Sequence, residues 1–224
     1  MSAPCAVLLD LDGTLTDPKP GITESVRHAL RRLNETRGLS LAIPTQDELE
    51  WTIGPPLIDS FRLIAGREHG EAGVDFYRER YGVTGLYENR VYDGVPDALE
   101  QLTAAGHRLF VATSKPRVYA QRILDHFDLT RFFAHVHGSE FDGTNLHKPD
   151  LLRHILAVEN LDPARCVMIG DRKHDAIGAK AHHMTALGVA WGYGSPQELA
   201  AAGFAAILAG PGDIPPAVAR LAAG

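Results

Sequence analysis

The sequence predicts an α/β fold, a doubly wound parallel sheet that carries a small inserted α-helical domain. Short apolar runs, each typical of a buried strand, alternate with amphipathic segments from residue 89 onward. Another such run, residues 5–9, precedes two closely spaced acids. Residues 18–88 instead show helical spacing of apolar residues and no strand pattern. We therefore expect a core domain of residues 1–17 and 89–224 and a cap domain of residues 18–88.

The predicted core elements follow one another in the order that a parallel sheet requires. Apolar runs predict strands over residues 5–9, 109–112, 132–136, 165–169, 186–190 and 205–208. Amphipathic spacing predicts helices over residues 95–105, 117–126, 147–159 and 176–181, and on both sides of the last strand. Parallel strands bring their carboxyl ends to one edge, where open α/β sheets place their ligand sites.

The insert is predicted to contain helices only. The first opens with Thr23 as N-cap and ends near Gly38, and the second opens with a capping box at residues 45–48. A third ends near Gly66, and a fourth covers residues 71–81. A helical block that follows a strand with acidic residues at its end is most simply a lid over a site.

Composition excludes several function classes. The formal charge is −6 with acids and bases interspersed, which argues against nucleic acid as a partner. No apolar run approaches the length of about 18 residues that a membrane span needs, and no signal peptide is visible. Cys5 and Cys166 both lie in strand-like runs, which favours buried thiols in a reducing cytoplasm over a disulfide. A monomer is expected.

The stretch after the first strand carries the strongest chemical signal. Asp10 and Asp12 flank Leu11 at the carboxyl end of a buried strand, and Gly13 and Thr14 follow. Carboxylates this close repel each other unless a positive charge lies between them, so a divalent cation is the economical explanation. Gly13 permits a sharp turn, and Thr14 offers a hydroxyl and an amide.

Histidine offers no comparable signal. The chain contains 11 histidines, but they are scattered. The pairs His182-His183 and His135-x-His137 lack a matching Cys or His pair, so we do not predict a zinc site.

Further polar residues follow the other predicted strands. They comprise Thr113 and Ser114 after the second strand, Asp171 and Asp175 after the fourth, and Lys148 at a helix start. Together with Asp10 and Asp12 they suit phosphoryl transfer through an aspartyl-phosphate. A carboxylate attacks phosphorus, a metal and a lysine neutralise the phosphate oxygens, hydroxyls hold the phosphate, and a second acid handles the leaving-group proton.

The motif Asp-Leu-Asp-Gly-Thr-Leu-Thr at residues 10–16 resembles the first motif of the haloacid dehalogenase-like hydrolases, most of which are Mg²⁺-dependent phosphatases. Thr113, His147-Lys148-Pro149 and Gly170-Asp-Arg-Lys-His-Asp175 are similar to the second, third and fourth motifs, in the same order. The helical insert resembles the subgroup with a small α-helical cap, which includes phosphoglycolate phosphatases. Gly54-Pro55-Pro56-Leu57 and Trp191-Gly-Tyr-Gly-Ser195 support that subgroup.

The resemblance implies a role for each matching residue. Asp10 would be the nucleophile and Asp12 the general acid and base, while Gly13, Thr113, Ser114 and Lys148 would bind phosphate. Mg²⁺ would bind a carboxylate oxygen of Asp10, the backbone carbonyl of Asp12, and Asp171. Asp175 would bind the metal directly, or orient Lys148 or a metal-bound water; both readings stay open.

Some assignments stay open. We expect Arg172 to form a structural hydrogen bond to a nearby loop rather than to contact substrate. Lys115 could lie either near the phosphate or on the surface. The expected substrate is a small phosphomonoester, such as phosphoglycolate or a nucleoside monophosphate. Specificity would lie in the cap, where the candidate residues are Ile53, Gly54, Pro55 and Arg62.

Alternative functions differ in what they require. A dehalogenase has no use for Asp12, and a phosphonatase needs a cap lysine, whereas Lys19 at the cap entrance is the sole lysine of residues 18–87. A sugar phosphomutase would use the same acids. From other classes, a phospho-Asp signalling receiver would be shorter and without an insert, and a scaffold protein would not need the intact acids.

Overall fold

The computed structural model describes residues 5–223 and divides the chain into two compact units. One unit, the core, consists of the chain up to Asp17 together with the chain from Val91 onward. The other, the cap, is Pro18–Arg90.

The strands of the structure, numbered in chain order, are β1 (Ala6–Leu9), β2 (Thr16–Asp17), β3 (Arg90–Val91), β4 (Arg108–Pro116), β5 (His135–Ser139), β6 (Cys166–Gly170), β7 (Thr185–Val189) and β8 (Ala206–Leu208). Six of them form one sheet in the order β5-β4-β1-β6-β7-β8. All neighbours in this sheet are parallel. The predicted α/β fold with a parallel sheet is therefore confirmed.

The α-helices are α1 (Lys19–Arg37), α2 (Leu57–Ala65), α3 (Gly70–Arg80), α4 (Val95–Ala104), α5 (Arg117–His126), α6 (Lys148–Val158), α7 (Lys173–Ala181), α8 (Pro196–Ala202) and α9 (Ile214–Ala223). Helices α1 to α3 belong to the cap, and the others belong to the core.

Strand β1 lies at the centre of the sheet because its side chains are apolar on both faces. Val7, Leu8 and Leu9 are fully buried, as expected for a strand covered by helices on both sides. Leu8 belongs to a cluster with Phe110 of β4 and Met168 of β6, against which α6 and α7 pack. The core thus fixes the carboxyl ends of β1, β4 and β6 side by side.

The third core strand lies later than predicted. Residues 132–136 were expected to form it, whereas β5 begins at His135. Thr130–Phe132 instead form a 3₁₀ turn after α5, so the aromatic residues that suggested a strand belong partly to that turn.

The first cap helix also begins earlier than predicted. Thr23 is not its N-cap, because α1 starts at Lys19 with proline in the first turn, a position that tolerates the missing N–H. The Thr23 hydroxyl donates instead to the Lys19 carbonyl, 2.6 Å away. The predicted capping box is confirmed: the Glu48 amide donates to the Thr45 hydroxyl and the Thr45 amide donates to the Glu48 carboxylate, at the start of the 3₁₀ helix Asp47–Thr52.

Both cysteines are free and buried, as predicted. Cys166 begins β6 opposite Ala6 of β1, so Cys5 lies one position outside that pairing. Burial raises the pKa of the Cys166 thiol to about 12, and burial likewise raises the pKa of Cys5.

No helix among residues 5–223 combines the length and apolar character needed to cross a membrane.

Candidate active site

The turn after β1 places two acids at the carboxyl edge of the sheet. The Asp10 amide donates to the Ile169 carbonyl at 2.9 Å, which extends the β1–β6 pairing one residue beyond the strand. The chain then turns back, with the Gly13 amide donating to the Thr16 carbonyl at 2.8 Å. Gly13 has a φ of 81°, a left-handed conformation that costs a residue with a Cβ about 1 kcal/mol or more.

Two glycines of this site bring backbone against the Asp171 carboxylate. A Cβ on Gly13 would lie 2.1 Å from Asp171 Oδ2, and one on Gly192 would lie 2.3 Å from Asp171 Cβ. Between Gly192 and Gly194, the Tyr193 amide donates to Asp171 Oδ2 at 2.8 Å. The loop after β7 therefore wraps Asp171 closely. In the sequence, residues 191–195 indicated a subgroup of the family, but they did not show that Gly192 packs against Asp171.

Lys148 connects three elements of the site. Its Nζ lies 3.1 Å from Asp10 Oδ1, 2.7 Å from Asp175 Oδ1 and 2.6 Å from the Ala112 carbonyl. Its side chain is buried. Burial alone would lower the pKa of this ammonium, but the charges of Asp10 and Asp175 outweigh burial and raise the pKa. Lys148 is thus held as a fixed, charged group next to Asp10.

Lys115 contacts the second acid of the first motif. Its Nζ lies 2.7 Å from Asp12 Oδ2, and both side chains are largely buried. Burial raises the pKa of the Asp12 carboxyl, while Lys115 opposes this shift. The sequence left open whether Lys115 lies near the phosphate site or on the surface. In the structure it is buried beside Asp12.

Thr113 and Ser114 were expected after the second strand, but they lie within β4 near its carboxyl end, where the pairing with β5 shifts register. Thr113 is buried, and its hydroxyl accepts from the Lys115 amide at 3.2 Å. The Ser114 carbonyl accepts from the Ser139 hydroxyl at 2.8 Å, which ties the end of β4 to the end of β5. Both residues therefore lie on the edge that carries Asp10.

The Asp175 side chain accepts a hydrogen bond at the start of α7. Its Oδ2 accepts from the Arg172 amide at 3.1 Å, while its Oδ1 faces Lys148. Burial raises the pKa of Asp175 to about 6, although Lys148 opposes the shift. The Arg172 guanidinium lies 2.9 Å from Glu198 of α8, in agreement with the expected structural role.

A carboxylate cluster forms at this edge. Oxygens of Asp10, Asp171 and Asp175 lie within 4.8 Å of one another, and all three residues are buried. Asp171 Oδ1 is buried without a hydrogen-bond partner. Burial, followed by the charges of Asp10 and Asp175, raises the pKa of Asp171 well above its usual range. A buried, unpartnered carboxylate oxygen beside two further acids fits a divalent cation.

Comparison with known families identifies the chain. The family model for haloacid dehalogenase-like hydrolases matches residues 6–183. The chain belongs to this family. The haloacid dehalogenase-like hydrolases generally use a divalent metal, which agrees with the donor set of Asp10 and Asp171.

Several relatives match most of the chain. A 5′-nucleotidase from Pseudomonas aeruginosa is 50% identical over 87% of this chain and 86% of its own. The tyrosine-protein kinase PtkA from Mycobacterium tuberculosis is 40% identical over 86% of this chain, which spans only 64% of the kinase. A phosphoglycolate phosphatase from Colwellia psychrerythraea is 30% identical over 86% of this chain and 87% of its own.

A solved structure agrees with these matches. The crystal structure of a predicted phosphatase from Clostridium acetobutylicum has a TM-score of 0.89 and 35% identity, and the match covers 97% of this chain and 100% of that one. The resemblance to the capped hydrolases is therefore confirmed, and this member of the family is a phosphoric monoester hydrolase.

The candidate specificity residues of this hydrolase differ in exposure within the cap. Ile53 is buried, whereas Gly54 is exposed and Pro55 is partly exposed. Arg62 on α2 is exposed and lies 3.6 Å from Asp59 one turn earlier. Gly54, Pro55 and Arg62 therefore have surface available for a ligand.

Proposed function

We propose that the chain is a Mg²⁺-dependent phosphatase that hydrolyses a small phosphomonoester through an aspartyl-phosphate on Asp10. One observation carries this proposal: the ammonium of Lys148 lies 3.1 Å from the Asp10 carboxylate, which shares a cluster with Asp171 at the end of a buried strand. A nucleophilic carboxylate, a fixed cation and a metal-binding acid are the parts that phosphoryl transfer to an aspartate requires.

Asp10 forms the new bond in the first step. Its carboxylate oxygen attacks phosphorus as the bond to the leaving oxygen breaks. Lys148 neutralises charge on the phosphoryl oxygens, and Thr113, Ser114 and the turn at Gly13 supply hydroxyl and amide donors. A bound Mg²⁺ would add a second positive charge and align the phosphate with Asp10.

Asp12 handles the protons. It donates a proton to the departing alkoxide, and then, as a carboxylate, it takes a proton from the water that attacks the phosphorus of phospho-Asp10. In that second step the bond between phosphorus and the Asp10 oxygen breaks, which frees the Asp10 carboxylate and releases inorganic phosphate. Each such transfer contributes about 10²–10⁴-fold to the rate. Lys115 holds Asp12 through its 2.7 Å contact and stabilises the ionised form that the second step needs.

The metal would be held by a carboxylate oxygen of Asp10, the backbone carbonyl of Asp12, and Asp171. Asp175 suits a different part, because one of its oxygens faces Lys148 and the other accepts from the Arg172 amide. We therefore assign Asp175 to orienting Lys148.

A nucleoside 5′-monophosphate is the proposed substrate. The 50% identity to a protein named 5′-nucleotidase supports this choice over phosphoglycolate, which names relatives of lower identity. Both substrates present the same dianionic phosphate to the core residues. Discrimination would therefore rest on the cap surface at Gly54, Pro55 and Arg62.

A panel of phosphomonoesters tests this function. Nucleoside 5′-monophosphates, phosphoglycolate and sugar phosphates would be incubated with the protein and Mg²⁺, and released phosphate measured. We expect the nucleotides to give the highest kcat/KM and Asp10→Asn to abolish release. Asp125→Asn, which changes an exposed acid of α5, serves as a matched control that retains activity. Release from no member of the panel would refute the proposal.

One relative is named a tyrosine-protein kinase, and a sugar phosphomutase is an alternative function, so the molecule that accepts the phosphate should be tested. In each case phospho-Asp10 would pass phosphate to a hydroxyl other than that of water. Incubation of the phosphorylated protein with a tyrosine peptide or a hexose phosphate would separate these reactions by product. We expect inorganic phosphate as the main product with either acceptor present.

A further inference from the structure

A second group of metal-ligating side chains lies in the core, away from Asp10. His135 and His137 of β5 approach Glu159, which directly follows α6. His135 Nδ1 lies 2.7 Å and His137 Nε2 lies 2.9 Å from the same oxygen, Glu159 Oε1. We propose that these three residues form a second metal site, selective for a borderline transition metal such as Zn²⁺.

The fold explains why these residues meet. Alternation along β5 places His135 and His137 on one face of the strand. Helix α6 packs on β4 and β5, so its last turn brings Glu159 to that face. The sequence showed the pair His135-x-His137 but not its partner, because that partner is a carboxylate distant along the chain and not a second Cys or His pair.

The surroundings orient Glu159 for this task. Its side chain is only 8% exposed. Arg108 Nη2 lies 3.4 Å from Oε2, so it engages the oxygen that does not face the histidines. The Arg108 guanidinium lies over the Phe110 ring, which also neighbours the His137 ring. An outer residue that fixes a ligating carboxylate in this way is typical of metal sites.

The donor set determines the type of metal. Two imidazoles and one carboxylate with an open position match zinc, with Zn–N distances of about 2.0–2.1 Å. Mg²⁺ and Ca²⁺ prefer oxygen ligands, so they would not compete well here. Water would complete the coordination, or His154, whose ring centroid lies 6.0 Å from that of His137.

The position of the site suggests what it does. Lys148 is the first of the 11 residues of α6, and Glu159 directly follows the last one. The two residues are therefore about 16 Å apart along the helix axis. The site is therefore separate from the carboxylates at Asp10. A metal bound there would fasten the far end of α6 to β5, and so stabilise the helix that carries Lys148.

Direct binding tests the proposal. Tag-free, EDTA-treated protein would be dialysed against Zn²⁺ in excess Mg²⁺ and the bound zinc measured, with Co²⁺ absorption as a second readout. We expect one equivalent of zinc, a raised melting temperature, and shifted imidazole NMR signals of His135 and His137. Asp171→Asn should retain that equivalent, which separates this site from the active site.

Two variants and one control complete the test. His135→Gln with His137→Gln should weaken zinc binding by at least about tenfold, as should Glu159→Gln alone if the double variant fails to fold. His183→Asn removes an exposed histidine after α7, where φ is 57° and asparagine is tolerated, and should bind zinc like the wild type. Unchanged binding in the double variant and in Glu159→Gln, or no zinc bound by the wild type, would overturn the proposal.

Discussion

Lys115 Nζ lies 2.7 Å from Asp12 Oδ2 in the interior of the core. The pair sets the protonation of Asp12, because burial raises the pKa of this carboxyl and Lys115 lowers it. A general base must be ionised before it can accept a proton. We therefore propose that Lys115 is a positioning residue that acts through Asp12, the general base of the proposed mechanism.

Lys115→Met tests this role. Without the ammonium the pKa of Asp12 should rise further, so that a higher pH is needed to ionise this carboxyl. We expect hydrolysis of phospho-Asp10 to slow, and to recover as the pH is raised. The measurement is the pH profile of dephosphorylation, with exposed Lys180→Met as control. A profile identical to that of the wild type would argue against the role.

Gly192 should not tolerate a side chain. A Cβ there would lie 2.3 Å from Asp171 Cβ and 2.4 Å from the Gly13 carbonyl oxygen, and the latter is backbone that cannot move freely. We expect Gly192→Ala to lower the free energy of unfolding by about 1–3 kcal/mol and to weaken Mg²⁺ binding. Denaturant unfolding and metal titration measure both effects. Gly212→Ala, which would meet nothing within 4 Å, should change neither.

The carboxylate cluster should link metal binding to pH. In the metal-free protein, burial raises the pKa of Asp175 to about 6 and that of Asp171 well above its usual range. A raised folded-state pKa adds stability at acidic pH, and that stability is lost as pH rises through the folded-state value. The proposed Mg²⁺ would bind the ionised carboxylates, so its stabilising effect should be larger above pH 7 than below pH 5.

Thermal unfolding with Mg²⁺ or EDTA at several pH values measures this linkage. Asp171→Asn should remove most of the pH-dependent difference, because the amide neither ionises nor binds the cation as strongly. A melting temperature that responds equally to Mg²⁺ at pH 5 and at pH 7.5 would contradict the prediction.

The positions of Asp10 and Asp171 at one edge of the sheet could be predicted because strand ends are easy to locate. Asp10 and Asp171 each follow a continuous apolar run, and parallel pairing of such runs brings their ends together. Lys115 was harder to place. The register of β4 against β5 shifts between Ala112 and Pro116, so simple alternation does not indicate which way its side chain points.

Other features depend on contacts that leave no local pattern. Gly192 is required because Asp171 lies against it, and the two are distant in sequence. In the sequence, Glu159 looks like an ordinary residue at a helix end, and only the fold shows that it lies beside His135 and His137. The third strand was predicted too early because aromatic residues favour strands, whereas Phe132 ends the 3₁₀ turn Thr130–Phe132.

The division of labour between Asp10 and Asp12 gives the most direct test of the chemistry. Asp10→Asn should abolish turnover and leave no phosphoenzyme, because an amide is a poor nucleophile. Asp12→Ala should lose about 10²–10⁴-fold on alkyl phosphates, whose leaving group needs a proton. The p-nitrophenolate of an activated ester such as p-nitrophenyl phosphate departs without a proton, so this variant should still be phosphorylated slowly by that ester. A phosphoenzyme should then accumulate, because water attack on phospho-Asp10 lacks its base.

Intact mass measurement detects this species as an added phosphate that hydroxylamine removes. Lys148→Ala provides the contrast, since loss of its 3.1 Å contact with Asp10 impairs both chemical steps and should leave no accumulated phosphoenzyme. Wild-type turnover of an alkyl phosphate by Asp12→Ala would show that Asp12 is not the proton donor. Phosphorylation of Asp10→Asn would show that the nucleophile lies elsewhere.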